Sequence, residues 1–175
     1  MLIAVKSTLY SSLISLNNIN HEELFILVKN STTTYILGCT YITDSPSIVY
    51  SQHAARIEEI FLRYLDAKFI IAGDYNLRHV LWPSSNNQPL NYSGYVPPDS
   101  LISADCIFKI SSLINIKQIF PIHPHKGYTL DLCFCYSNYF SIIASDRNIN
   151  LVKIDEHHIP VLFKLELFFE FKSYK

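Results

Sequence analysis

Residues 68–76 read Lys68-Phe69-Ile70-Ile71-Ala72-Gly73-Asp74-Tyr75-Asn76. The unbroken apolar run from Phe69 to Ala72 has the pattern of a strand buried on both faces, as at the centre of an α/β sheet. Gly73 ends it. A carboxylate and a carboxamide then follow two residues apart, with Tyr75 between them. The C-terminal end of a central strand is where α/β folds commonly place chemistry. A strand closed by an Asx-type turn accounts for the same four residues without any chemistry, so the choice rests on the remainder of the chain.

Upstream, Asp44-Ser45-Pro46-Ser47 is a helix start signal, a capping residue with proline close behind. Tyr50, Ala54, Ile57, Phe61 and Tyr64 recur at helical spacing, which predicts a helix over 47–66 with one face laid on a sheet. Before it, 23–29 and 34–42 are rich in β-branched and aromatic residues and are separated by Asn30-Ser31-Thr32-Thr33. They predict an antiparallel hairpin, giving the order β–β–α–β. Residues 2–6 read as a further strand and 7–21 as a Ser/Asn-rich loop. An apolar strand starting abruptly at Met1 suggests that part of the fold would lie ahead of it.

Downstream, 77–98 carries Pro83, Pro89, Pro97 and Pro98 and reads as a long loop, of the kind that is often functional. Arg78, His79 and Trp82 lie in it, and packing is the better account of Trp82. A second helix is predicted over 99–113, capped by Asp99 or Ser100, and a short strand over 114–119. His123 and His125 stand two apart in Pro121–Gly127, where a solvated loop explains them better than a metal does. Strands are predicted over 128–136, 140–144, 149–154 and 161–171. Asp131 sits in the otherwise apolar first of these, and a carboxylate there needs a partner because an unpaired buried charge is costly. Asp155-Glu156-His157-His158-Ile159-Pro160 is a compact polar cluster.

The chain has 175 residues, 49% hydrophobic and 17% charged, which is enough to bury a core and too apolar for a disordered protein. We expect one domain. The net charge is −1 and no basic run occurs, which counts against tight DNA binding by phosphate neutralisation alone. Cys39, Cys133 and Cys135 lie in apolar strand-like runs and read as small core residues. With Cys106 they show no paired metal-ligand spacing. No stretch reaches transmembrane length and no secretory signal is visible, so an intracellular protein without membrane contact is expected.

Carboxylates, a carboxamide and histidines at strand ends suit metal-assisted phosphodiester hydrolysis. At these residues the sequence resembles the endonuclease/exonuclease/phosphatase family, and in particular the endonuclease domain of non-LTR retrotransposon proteins. The resemblance runs in order through Leu2-Ile-Ala-Val-Lys6, Gly38-Cys-Thr-Tyr-Ile42, Phe69 to Asn76, Thr129-Leu-Asp-Leu-Cys-Phe134 and Asp155 to Pro160. It implies a two-sheet α/β sandwich like deoxyribonuclease I and Mg²⁺- or Mn²⁺-dependent nicking of DNA. It also implies roles: Asp74 to position or activate water, Asn76 to contact the scissile phosphate, and Asp131 to hold a catalytic histidine. The last cluster would supply that histidine and a metal-linked Asp155.

Two departures qualify these expectations. The family carries an Asn motif and a metal-binding Glu motif, with strands and a helix, ahead of the strand that Leu2–Val5 matches. Neither motif is in this sequence, so we expect an N-terminally truncated domain that binds metal weakly and has weak or no nuclease activity. The closing motif also has Ile159 between the histidine pair and Pro160. Aligned on Pro160, His158 is the catalytic histidine; aligned on Asp155, it is His157. A non-catalytic remnant or interaction module of the same fold, and a phosphatase of small phosphoesters, are the competing readings.

Overall fold

In the computed structural model the described residues are 3–16, 22–43, 46–82, 90–92, 94–119, 130–136, 140–142 and 163–165. The chain divides into two compact units, Met1–Tyr136 and Ser137–Lys175. The first unit opens with three antiparallel strands, β1 (Tyr10–Leu13), β2 (Glu22–Lys29) and β3 (Thr34–Tyr41). Helix α1 (Ser47–Arg63) then leads into β4 (Lys68–Asp74), which lies parallel to β3. A two-residue pair follows, β5 (Val80–Leu81) with β6 (Asn91–Tyr92), and then α2 (Pro98–Leu113). Strands β7 (Lys117–Gln118) and β8 (Asp131–Cys135) complete a six-stranded sheet in the order β1-β2-β3-β4-β8-β7. In the second unit, β9 (Phe140–Ile142) pairs antiparallel with β10 (Phe163–Leu165).

The β–β–α–β order, the helix after Pro46 and the strand at 68–74 match the sequence expectations. The hairpin closes because Asn30 Oδ1 accepts the backbone N–H of Thr32 at 2.9 Å and of Thr33 at 2.7 Å, a side chain mimicking a turn.

The register shows how the sheet divides into faces. Phe25, Gly38 and Ile71 are successive cross-strand neighbours, as are Leu27, Ile36 and Phe69. These six are buried and point to the α1 side, where Phe61 packs on Phe69 with ring centroids 6.2 Å apart. Side chains alternate along a strand, so Leu24, Leu37, Cys39, Ile70, Ala72 and Cys133 form the opposite face. Gly38 is required by that packing, since a Cβ there would lie 2.6 Å from the Phe25 ring. The requirement is stricter at Gly73, where a Cβ would stand 2.0 Å from the carbonyl oxygen of Thr40. The glycine that ends the apolar run is what lets β3 and β4 close up beside the candidate site.

Four expectations are corrected. Described residues 3–6 are not a strand; the strand lies at Tyr10–Leu13, inside the stretch read as a loop. The apolar run had the better propensity, but β-propensity is overridden by pairing, and it is Tyr10–Leu13 that takes register against Lys29–Ile26 of β2. Within 77–98, residues 80–81 and 91–92 pair as β5 and β6. Val80 and Trp82 are buried there, and Trp82 packs edge-on against Phe134 at 5.5 Å, as its packing role predicted. The strand expected over 114–119 is confined to Lys117–Gln118.

Finally, neither helix is capped by its own side chain: the N-cap positions are Pro46 and Pro97. Asp99, expected to cap α2, instead accepts the backbone N–H of Ser47 at 3.1 Å and its hydroxyl at 2.9 Å, and so caps α1 from the first turn of α2.

Candidate active site at the end of the central strands

β4 is flanked by parallel β3 and antiparallel β8, so the C-terminal ends of β3 and β4 meet the N-terminal end of β8. There Asp74 is the direct cross-strand partner of Asp131. Two residues far apart in sequence are thus brought to neighbouring positions on one sheet face, where directly opposed Cα atoms lie about 4.5–5.5 Å apart. Both are partly exposed. The row continues across the sheet, since Asp74 is level with Tyr41 on β3 and Tyr41 with Glu22 on β2. Sequence reasoning found Asp74 and Asp131 but not Tyr41 or Glu22, whose place in the row depends on register.

The turn after β4 is tightly determined. The backbone N–H of Asn76 donates to Asp74 Oδ1 at 3.0 Å, the Asx turn that the sequence suggested. Asn76 takes a left-handed backbone with φ of +50°, a region Asn tolerates better than most residues. Its side-chain Nδ2 donates to the Ile42 carbonyl at 2.8 Å, and the Ile42 N–H donates to the Asp74 carbonyl at 2.9 Å. The Tyr75 N–H donates to the Leu130 carbonyl at 2.9 Å, joining the turn to the residue before Asp131. Backbone from β3, β4 and β8 therefore converges on three consecutive residues.

Tyr75 turns inward, 1% exposed. Its carbonyl accepts the Tyr50 hydroxyl at 2.5 Å, and its own hydroxyl lies 3.2 Å from His53 Nε2. His53 Nδ1 is 2.9 Å from Glu23 Oε2, and Arg56 pairs with Glu23 Oε1 at 2.9 Å. The side chains of His53 and Glu23 are fully buried. Burial, then nearby Cys133 and Glu23, hold the Tyr75 phenol well above its ordinary pKa. It therefore stays protonated. Helical spacing had picked Tyr50, Ala54 and Ile57 as the sheet-facing stripe of α1. His53 and Arg56 are buried on that helix too, and were missed because they are polar. A signal was present: Glu23 stood in an apolar strand, and a buried carboxylate requires a cation.

Asp74, Asn76 and Asp131 are thus brought together. Asp155, His157 and His158 lie outside the described residues, as do His123 and His125. Among the described residues no group of three or more His, Cys, Asp or Glu side chains is placed to hold a metal ion. Asp74 and Asp131 are hard oxygen donors of the type Mg²⁺ prefers, but Mg²⁺ requires near-octahedral coordination. The described residues alone do not fit it. No described helix is long and apolar enough to cross a membrane.

No protein-family model and no curated protein matches the chain. Among solved structures, the chain is similar to the endonuclease domain of TRAS1, a telomere-specific non-LTR retrotransposon. The TM-score is 0.54 at 14% identity, covering 87% of this chain and 67% of that one. It is also similar to the human Nocturnin catalytic domain with bound sulfate anion, with a TM-score of 0.46 at 13% identity, covering 77% of this chain and 50% of that one. The six-stranded sheet, the two helices and the likeness to the TRAS1 domain give this chain the endonuclease/exonuclease/phosphatase-like fold, a mixed α/β architecture of the deoxyribonuclease-I-like sandwich class.

Proposed function

We propose that the chain is a phosphodiester hydrolase domain of the retrotransposon endonuclease type, acting on DNA, with activity impaired in the 175-residue form. The observation that carries this reading is the cross-strand pairing of Asp74 with Asp131 beside the left-handed turn at Asn76. In this reading Asp74 takes a proton from the attacking water, its carboxylate oriented by the Asn76 N–H on Oδ1. A carboxamide nitrogen carries two protons. Asn76 spends one on the Ile42 carbonyl and presents the other to a phosphate oxygen. The resemblance assigns the catalytic histidine to His157 or His158, its holding to Asp131, and the metal-linked carboxylate to Asp155. When bound, Mg²⁺ or Mn²⁺ would stabilise negative charge developing on the phosphate.

Impairment of these 175 residues on their own is expected because the family's metal-binding Glu motif has no match within them. The test is nicking of supercoiled plasmid with Mg²⁺ or Mn²⁺ over a wide range of protein concentration. Nicking seen only at high concentration and abolished by Asp74→Ala and Asp131→Ala supports the proposal. Efficient nicking at catalytic concentration would refute the impairment. Equal behaviour of the parent chain and Asp74→Ala at every concentration would refute the catalytic roles and favour a non-catalytic module. Faster turnover of a soluble phosphomonoester than of DNA would move the substrate to small phosphoesters.

A further inference from the structure

We propose that Tyr75 is a positioning residue: anchored from within by His53 and Tyr50, it holds the turn that presents Asp74 and Asn76. The inference rests on the reading of that turn as the working end of the molecule. It concerns residues that play no part in the chemistry proposed above.

Tyr75 is gripped at three atoms from three directions. Its N–H is held by Leu130, ahead of β8; its carbonyl by the Tyr50 hydroxyl of α1; its own hydroxyl by His53, one helical turn further along α1. The ring stands edge-on to His53 at 5.6 Å and to Phe134 at 5.7 Å. A plain apolar residue would fill this space as well. The hydroxyl adds direction, because its bond to His53 limits how far the ring slides along the sheet.

The partner is itself oriented. Glu23, already paired with Arg56, lies against His53 Nδ1 and so sets the ring with Nε2 facing the Tyr75 hydroxyl. Arg56, Glu23, His53 and Tyr75 thus form one buried chain from α1 through β2 and back to the strand end. Such a chain is needed because Asn76 is in the left-handed region. Backbone of that kind persists only where the surroundings over-determine it.

The experiment is amide hydrogen exchange by NMR on the parent chain, Tyr75→Phe, Tyr50→Phe, His53→Gln and His53→Leu. Tyr75→Phe keeps the ring and so keeps the packing. If Tyr75 positions the turn, the N–H groups of Ile42, Tyr75 and Asn76 exchange about tenfold faster in Tyr75→Phe and Tyr50→Phe, the scale of one lost hydrogen bond. Amides in the middle of β3 and β4 keep their rates. His53→Gln, whose amide reaches the same two partners, restores slower exchange at the turn than His53→Leu. Uniform acceleration throughout the sheet, unchanged rates at the turn, or equal rates in the two His53 variants would each overturn the proposal. The readout needs no turnover, so absence of nicking by the parent chain refutes the functional reading without deciding this one.

Discussion

Gly73 and Asn76 are single residues whose identity the backbone enforces, for opposite reasons. At Gly73 there is no room: a Cβ would meet the Thr40 carbonyl at 2.0 Å. Gly73→Ala forces β3 and β4 apart where the candidate site is built, and should cost about 3 kcal/mol or more, the upper range for overpacking. Urea unfolding checks this as a lowered midpoint. At Asn76 there is room but an unusual backbone, with φ of +50°. Asn76→Ala should cost about 1–2 kcal/mol, through the left-handed penalty and the lost bond to Ile42. Asn76→Gly relieves the first of these and should be the more stable of the two variants, while removing the carboxamide as completely. A comparison of the pair by thermal unfolding, with nicking measured alongside, separates backbone demand from chemistry. The sequence showed both residues as a turn, and the turn is there. Neither the close approach at Gly73 nor the grip on Asn76 was visible, because each depends on which strand lies alongside.

At the scale of elements, legibility followed the range of the interaction. The α1 helix, the β2–β3 hairpin and β4 were readable because their signals are local: helical spacing, a turn cluster, an apolar run ended by glycine. The β1 strand was misplaced because its existence depends on pairing with β2, and its Ser-rich sequence carries no propensity of its own. The caps were misassigned for the same reason. Asp99 serves a helix whose start lies far upstream, through two bonds to Ser47. Asp99→Ala should therefore destabilise by about 1 kcal/mol, the usual value of an N-cap. Asp99→Asn, which retains an acceptor, should lose about half as much. Protection of the first-turn amides of α1, rather than of α2, is the measurement that identifies which helix the residue caps.

In the molecule as a whole, the sheet face opposite α1 carries the thiols of Cys39, Cys133 and Cys135 along its middle, with the carboxylates of Asp74 and Asp131 at its end. Burial pushes the Cys133 thiol up to about 12, and burial with Cys133 nearby pushes Cys135 higher still. A thiol that stays protonated in the folded state while its unfolded counterpart ionises stabilises the protein below the unfolded pKa. That contribution is lost as pH rises above it, so stability should fall between about pH 9 and pH 12, by up to about 1.4 kcal/mol per pH unit for Cys133 alone. Replacing Cys133 with Ala should flatten that limb of the stability–pH curve. In alkylation at mildly alkaline pH, the partly exposed Cys39 and Cys106 should react first, with Cys133 and Cys135 protected until the sheet opens.

The sheet order also dictates a sequence of events in time. β1 to β4 are laid down by neighbours along the chain, so they can assemble as soon as that stretch is free to collapse. β8 must instead cross the whole of residues 75–130 to reach β4. Closing so long a span is an entropic cost met before any pairing rewards it, and non-local pairing of this kind is slow. Asp131 is therefore a late arrival: during refolding, amides of β2 to β4 should gain protection before those of β8. Until β8 docks, the chain holds Asp74 without its cross-strand partner, and Tyr75 lacks the Leu130 carbonyl on which its N–H rests. The two carboxylates come into register only when the sheet is whole.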